Sequence, residues 1–239
     1  MVNVDGSNQR RLTNTLAEEW HPAWSHDGSR LVFQCMAGGA SNVCSVNADG
    51  SGYTQITSWK KGEPGAQRPV WSPDGRQIAV SREPAGRGTT FIWLMNADGS
   101  GQRQVIEGRD PSWSPDGSRI AFIRWDGSGL QVWTSSPTGG NVQQLTKGDA
   151  DHMYPTWSPD GRQIAFEYDH ALVAVMDARG GQQRVVAKQP SYNLCWSPDG
   201  RRLAVASSEG GIHLVNVDGS GSTQITGVGT QPAWQPAQR

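Results

Sequence analysis

Five times along the chain a tryptophan is followed by Ser-x-Asp-Gly and then by a short apolar run. The copies are "HPAWSHDGSRLVF" at Trp24, "RPVWSPDGRQIAV" at Trp71, "DPSWSPDGSRIAF" at Trp113, "YPTWSPDGRQIAF" at Trp157 and "NLCWSPDGRRLAV" at Trp196. A sixth tryptophan, Trp234 in "QPAWQPAQR", opens the same phrase. The intervals between these tryptophans are 47, 42, 44, 39 and 38 residues. A period of this length restricts the chain to architectures that stack one supersecondary unit on copies of itself.

Local physics identifies the unit. In "SPDG" the proline presets φ, the aspartate can bond its own backbone and the glycine accepts positive φ, so the flanking segments fold back antiparallel. Runs such as "RQIAV" and "SRIAF" are short, apolar and rich in β-branched or aromatic residues, which favours strands. A second turn follows in each repeat, as in "CSVNADGSGYTQIT", "WLMNADGSGQRQV" and "HLVNVDGSGSTQIT". Each repeat therefore holds four antiparallel strands with no helical periodicity between them, the pattern of a propeller blade. The 30 Gly, 14 Pro and 11 Trp of this 239-residue chain fit many turns and a core built largely on tryptophan.

The repeated "PxWSPDGxxIAF…NADG…LT" resembles the WD40-like propeller repeat of the TolB family, a periplasmic part of the bacterial Tol–Pal envelope system, over nearly the whole chain. The resemblance implies an all-β fold of six four-stranded antiparallel blades, with the first strand of each lining a central tunnel. It also implies a periplasmic or extracytoplasmic address and a protein or extended peptide segment as partner. The α/β domain that accompanies such propellers in the TolB family has no counterpart here. On this reading residues 1–239 form one propeller domain, with repeat tryptophans at 24, 71, 113, 157, 196 and 234. Residues 1–13, "MVNVDGSNQRRLT", match the last half of a repeat and residues 231–234 match the start of one. Blade six is thus expected to be shared between 1–13 and 227–239, three-stranded for want of an "RxIAF" strand, and closed by pairing of the two terminal segments.

The repeat tryptophans and the Asp-Gly pairs read as packing and turn chemistry. Function is sought where the repeats differ. In each blade the "SPDG" and "NADG" turns share one end, and the irregular loops 14–20, 36–41, 58–68, 82–90, 124–129 and 147–154 share the other, where recognition is usual. Three residues before each repeat tryptophan stand His21, Arg68, Asp110, Tyr154, Asn193 and Gln231. These polar residues are the candidate ligand- or peptide-binding set, expected around the tunnel mouth. Arg68 and Tyr154, as exposed entry positions, are expected to tolerate alanine with folding nearly unchanged.

Other function classes find little support. Lys plus Arg number 21 against 22 Asp plus Glu, so no global field draws nucleic acid. Lys60, Lys61, Arg68, Arg82 and Arg87, beside Trp59, form at most a local basic rim. No apolar run is long enough to span a membrane, and Met1 leads into "VNVDGSNQRR" without a signal-peptide core, so no direct membrane insertion is expected. No nucleophile elbow, zinc-protease motif, dinucleotide fingerprint or calcium loop occurs, and His21, Asp110, Asp151 and His152 have no ligand spacing. The chain is therefore read as a non-enzymatic, monomeric binding scaffold without cofactor or metal. Two alternatives stay open: a gating propeller of a serine peptidase whose catalytic domain lies elsewhere, and a small-ligand or carbohydrate sensor. Cys35 and Cys44 fall on successive strands of one hairpin within reach of a disulfide, and Cys195 beside Trp196 reads as a core thiol.

Overall fold

The computed structural model of the chain describes residues 1–84, 88–188, 191–208 and 210–236. The first blade comprises β1 (Glu19–Trp24), β2 (Arg30–Ala37), β3 (Ala40–Asn47) and β4 (Thr54–Gln55). The second comprises β5 (Ala66–Trp71), β6 (Gln77–Arg82), β7 (Phe91–Asn96) and β8 (Arg103–Glu107). In the third are β9 (Arg109–Trp113), β10 (Ile120–Trp125), β11 (Leu130–Ser135) and β12 (Gln143–Gln144). The fourth runs through β13 (His152–Trp157), β14 (Gln163–Tyr168), β15 (Leu172–Asp177) and β16 (Arg184–Lys188). The fifth holds β17 (Ser191–Trp196), β18 (Arg202–Ser207), β19 (Ile212–Asn216) and β20 (Ser222–Thr226). Each blade is a sheet in which strands adjacent in sequence are adjacent in space.

The "WSPDG" phrase builds its turn with one residue whose role the sequence reading did not assign. The serine after each tryptophan is 1 to 4% exposed. Its hydroxyl donates to the aspartate two residues on, with Oγ to Oδ1 distances of 2.6, 2.6, 2.5, 2.7 and 2.5 Å for Ser25, Ser72, Ser114, Ser158 and Ser197. The same oxygen accepts the backbone N–H five residues on, from Arg30, Gln77, Arg119, Gln163 and Arg202. The aspartate also accepts the N–H two residues beyond itself, and the glycines hold φ of 67 to 70°. One buried hydroxyl thus ties the turn to the start of the following strand.

The chain divides into two compact units, Met1–Pro111 with Gln235–Arg239, and Ser112–Trp234; the division falls inside β9. In the first unit Val32 and Val43 pack with Ala66, Trp71, Ile78, Val80 and Met95. In the second, Ala165, Val173 and Val175 pack with Leu194, Trp196, Leu203, Val205 and Val215. Both clusters join the face of one blade to the next through the later blade's repeat tryptophan. Guanidinium groups extend this packing, with Arg30 4.8 Å from the Trp71 ring centre and Arg202 5.8 Å from that of Trp234.

The expectation of six blades is corrected: among the described residues there are five four-stranded sheets. Residues 1–18 and 227–236 contain no strand, so the expected pairing of terminal segments does not form a sixth sheet. Part of a repeat is nevertheless built. Met1 and Arg10 exchange backbone hydrogen bonds of 2.6 and 2.8 Å around a turn in which Asp5 accepts the Ser7 N–H. Leu12 packs on the first blade's core, where its carbonyl faces Gly50 as that of Ile56 faces Gly99 and that of Leu145 faces Gly180, each too closely for a Cβ. The physical reason for the missing sheet is its missing centre. In every blade the second strand is buried on both faces and hydrogen-bonds both neighbours, and among the described residues no such strand lies beside the "QPAW" and "MVNVDG" segments.

The clamp predicts an acid transition. Hydrogen bonds from serine hydroxyls, led by Ser25 and Ser72, hold the turn aspartates below the usual carboxylate range, Asp27 at about 2. A depressed folded pKa contributes stability above the unfolded value near 4 and loses it as pH falls through the folded one. Urea midpoints should therefore drop steeply between about pH 4 and pH 2. Ser158→Ala should cost about 1 to 3 kcal/mol at pH 7, because the Gln163 N–H and Asp160 both lose a partner.

Candidate functional site

At the opposite end of the blades the first strands share a distortion. The β1–β2 register slips between Trp20 and Ala23, β5–β6 between Gln67 and Val70, β13–β14 between Met153 and Thr156, and β17–β18 between Tyr192 and Leu194. In each slip sits one member of the candidate set at left-handed φ: His21 at 52°, Arg68 at 52°, Tyr154 at 54° and Asn193 at 56°; Asp110, in β9, has 58°. These are bulges. They offer a structural reason for polar residues at this place, since His, Asp and Asn adopt left-handed φ more readily than apolar side chains do. Gln231, the sixth candidate, lies outside any strand and is half-buried.

The first unit brings three candidates into interaction. Arg68 Nε lies 2.8 Å from Asp110 Oδ1, with side chains only 23 and 11% exposed. The Asp110 N–H donates to Ser81 Oγ at 2.8 Å. Burial pushes the Asp110 carboxyl up, and the charges of Arg68 and Arg109 oppose that shift. His21 Nδ1 is 2.9 Å from Gln34 Oε1. Burial, with the Arg68 charge beside it, lowers its pKa to about 4, so the ring is neutral and Nδ1–H donates to Gln34. In the second unit Asn193 Nδ2 donates to the Thr230 carbonyl at 3.3 Å, and Tyr154 packs against the core around Phe166.

The expectation that Arg68 and Tyr154 are exposed is therefore corrected: both are half-buried, as are the other four members of the set. Arg68→Ala should destabilise by about 3 to 5 kcal/mol, since it strands a buried carboxylate, and Asp110→Asn in the same background should recover part of the loss. A double-mutant cycle by urea denaturation measures that coupling.

An open cleft of about 660 Å³ lies next to the ion pair and is lined by Gly62, Glu63, Gln67, Glu83 and Arg109 among others. Gln67 and Arg109 are the sequence neighbours of Arg68 and Asp110. Both are exposed, as are Glu63 and Glu83. The basic rim read from the sequence is largely absorbed. Arg82 lies 4.7 and 5.0 Å from the Trp59 and Trp93 ring centres and donates to the Pro64 carbonyl at 2.9 Å. Arg68 is committed to Asp110. Lys60 and Lys61 are exposed, and Arg87 lies outside the described residues. Cys35 and Cys44 are joined on one face of the β2–β3 hairpin with Cα atoms 5.9 Å apart, and burial pushes the Cys195 thiol up to about 12.

One charged residue escaped the sequence reading. Glu167, in "QIAFEY", is 1% exposed and its Oε2 has no hydrogen-bond partner. Burial drives its carboxyl up to about 7, with His170 opposing and Asp151 adding to the shift. The signal was available: a carboxylate occupies the middle of a strand whose counterparts read "VFQC", "AVSR", "AFIR" and "AVAS". A folded pKa above the unfolded 4.5 means that stability present below pH 4.5 is lost as pH rises toward 7. Glu167→Gln should exceed the wild type in stability by roughly 1 to 3 kcal/mol at pH 8, and match it below about pH 5, by urea denaturation.

Comparison with known proteins gives a consistent family. The model described as TolB beta propeller domain matches residues 1–136, 60–188 and 131–239. The "Tol-Pal system protein TolB" of Francisella tularensis subsp. mediasiatica is 31% identical over 96 residues, 38% of this chain and 21% of that protein. The structure of TolB from Acinetobacter baumannii superposes with a TM-score of 0.84 at 23% identity, over 99% of this chain and 62% of that one. That of a putative TolB from Agrobacterium tumefaciens gives 0.82 at 20% identity, over 98 and 92%. The chain thus matches about a fifth of the length of its curated relative.

Proposed function

The chain belongs to the TolB beta propeller domain family, and from that premise we propose that it is a non-catalytic scaffold that binds a protein or extended peptide segment through the loop end of its blades. The observation that carries this reading is the asymmetry between the two blade ends. At the turn end the aspartates of "WSPDG" are spent on serine hydroxyls and backbone N–H groups. At the loop end, exposed Glu63, Gln67, Glu83 and Arg109 line an open cleft with room for a chain segment. Arg68 and Asp110 behind it act as its frame, and their flanking residues provide the contacts.

The relatives' name supports a role in a Tol–Pal system, and so a periplasmic address with an envelope protein as partner. An oxidising compartment agrees with the paired Cys35 and Cys44. Among the described residues no helix is long and apolar enough to cross a membrane. The loop-end cleft is lined by charged and polar side chains, which favours a partner held by charged and hydrogen-bonding groups over a purely apolar one.

Calorimetric titration of the chain with the Pal protein of the same organism tests the reading. Arg109→Glu and Glu83→Arg should each weaken binding by about 1 to 3 kcal/mol at an unchanged thermal midpoint, and Arg201→Ala at the turn end should leave it intact. Binding that survives both cleft variants and fails with Arg201→Ala would move recognition to the turn end.

A further inference from the structure

Ten residues after its repeat tryptophan, each blade's second strand has one position that lies alongside the bulge. It holds Gln34, Ser81, Ile123, Glu167 and Ala206 in blades one to five. Two of the polar occupants are used within the fold: Gln34 Oε1 takes the His21 proton donor, and Ser81 Oγ takes the Asp110 N–H. The third is not. Glu167 is 1% exposed and Oε2 meets no donor. A buried acceptor without a partner costs more than one left in water, so such a group calls for a reason.

Its ionisable neighbours are Asp151 and His170. His170 Nε2 lies 3.2 Å from Asp151 Oδ2, and Asp151 Oδ1 accepts the Leu130 N–H at 2.7 Å. The imidazole is thus already engaged, two carboxylates remain, and the local surplus is of acceptors and negative charge. Deeper in the same loop region His152 Nδ1 pairs with the Ala150 carbonyl, and burial lowers its pKa, so it adds no positive charge. His170 is 60% exposed, so this pair of side chains is the part of the cluster that meets solvent.

From this placement we propose that Glu167 receives a primary ammonium group, the side chain of a lysine in the bound protein segment. The inference rests on the binding reading above and gives it a ligand chemistry in the fourth blade. An ammonium supplies three N–H donors and the missing positive charge, so it can satisfy Oε2 and share Asp151. A metal ion fits less well, because among the described residues no three His, Cys, Asp or Glu side chains converge as ligands. Burial keeps the acid partly protonated near neutrality. Binding then expels a proton, and affinity should fall about tenfold per pH unit below the carboxyl's midpoint.

The test is a carbon-13 NMR titration of the Glu167 carboxyl in the full chain, with the blocked tripeptide acetyl-Gly-Lys-Gly-amide as probe. The Nε-acetylated tripeptide and calcium chloride serve as parallel arms. The expected result is a fall of at least one pH unit in the carboxyl midpoint with the lysine peptide and none with the acetylated one. At pH 8 the peptide's dissociation constant should rise at least tenfold in Glu167→Gln, a variant of matching shape that keeps the fold. Three outcomes would overturn the proposal: an unmoved midpoint, equal binding of the acetylated peptide, or a response to calcium alone. Failure of Pal to bind would strike the binding reading while the lysine titration still stands or falls by itself.

Discussion

The fold depends on a hydroxyl. In every blade the serine after the repeat tryptophan accepts the N–H five residues on, at the start of the second strand, and donates to the turn aspartate; the serine is buried and the aspartate stands at the surface. That pair of bonds sets the register of the first two strands. Because side chains alternate faces with a period of two, register decides which residues meet the neighbouring blade. A slip of one residue would turn Ala165, Val173 and Val175 away from Leu194 and Trp196. The cluster joining Val32 to Trp71 depends on register in the same way.

The other end of the first strands is organised by the opposite device, a left-handed residue that breaks the register. A non-glycine residue there carries strain of about 1 to 3 kcal/mol; in three of the four bulges proline follows, at Pro22, Pro69 and Pro155, as Pro111 follows the left-handed Asp110. The strain is offset by interactions of the bulge residues and their second-strand neighbours, such as His21 with Gln34, Asp110 with Ser81 and Arg68 with Asp110. Polar diversity at these positions therefore has a structural source. The residues that flank them in the same loops, such as Gln67 and Arg109, are exposed.

Three kinds of carboxylate show how burial and partners divide the work. The turn aspartates gather donors at the surface and remain charged in acid. Asp110 is buried against a guanidinium, and desolvation still outweighs the attraction. Glu167 is buried with an oxygen that meets no donor, and burial drives its carboxyl up to about 7. The same side-chain chemistry is turn staple, ion-pair frame and buried acid according to the donors within reach.

Much of the blade was legible in the sequence because its determinants are local. Turn chemistry and alternating apolar runs identify the strands around Trp24, Trp71, Trp113, Trp157 and Trp196, since three or four consecutive residues carry each signal. What needed tertiary structure involves partners far apart in the chain. The want of a central strand for a sixth blade was legible, but that its terminal halves then form no sheet among the described residues needed the structure, because pairing depends on a strand that hydrogen-bonds both neighbours. The Arg68 to Asp110 pair spans 42 residues, so exposure guessed from a loop position missed its burial. Glu167 was visible as a letter, but its missing partner could be seen only once the loops bearing Asp151 and His170 had been brought beside it.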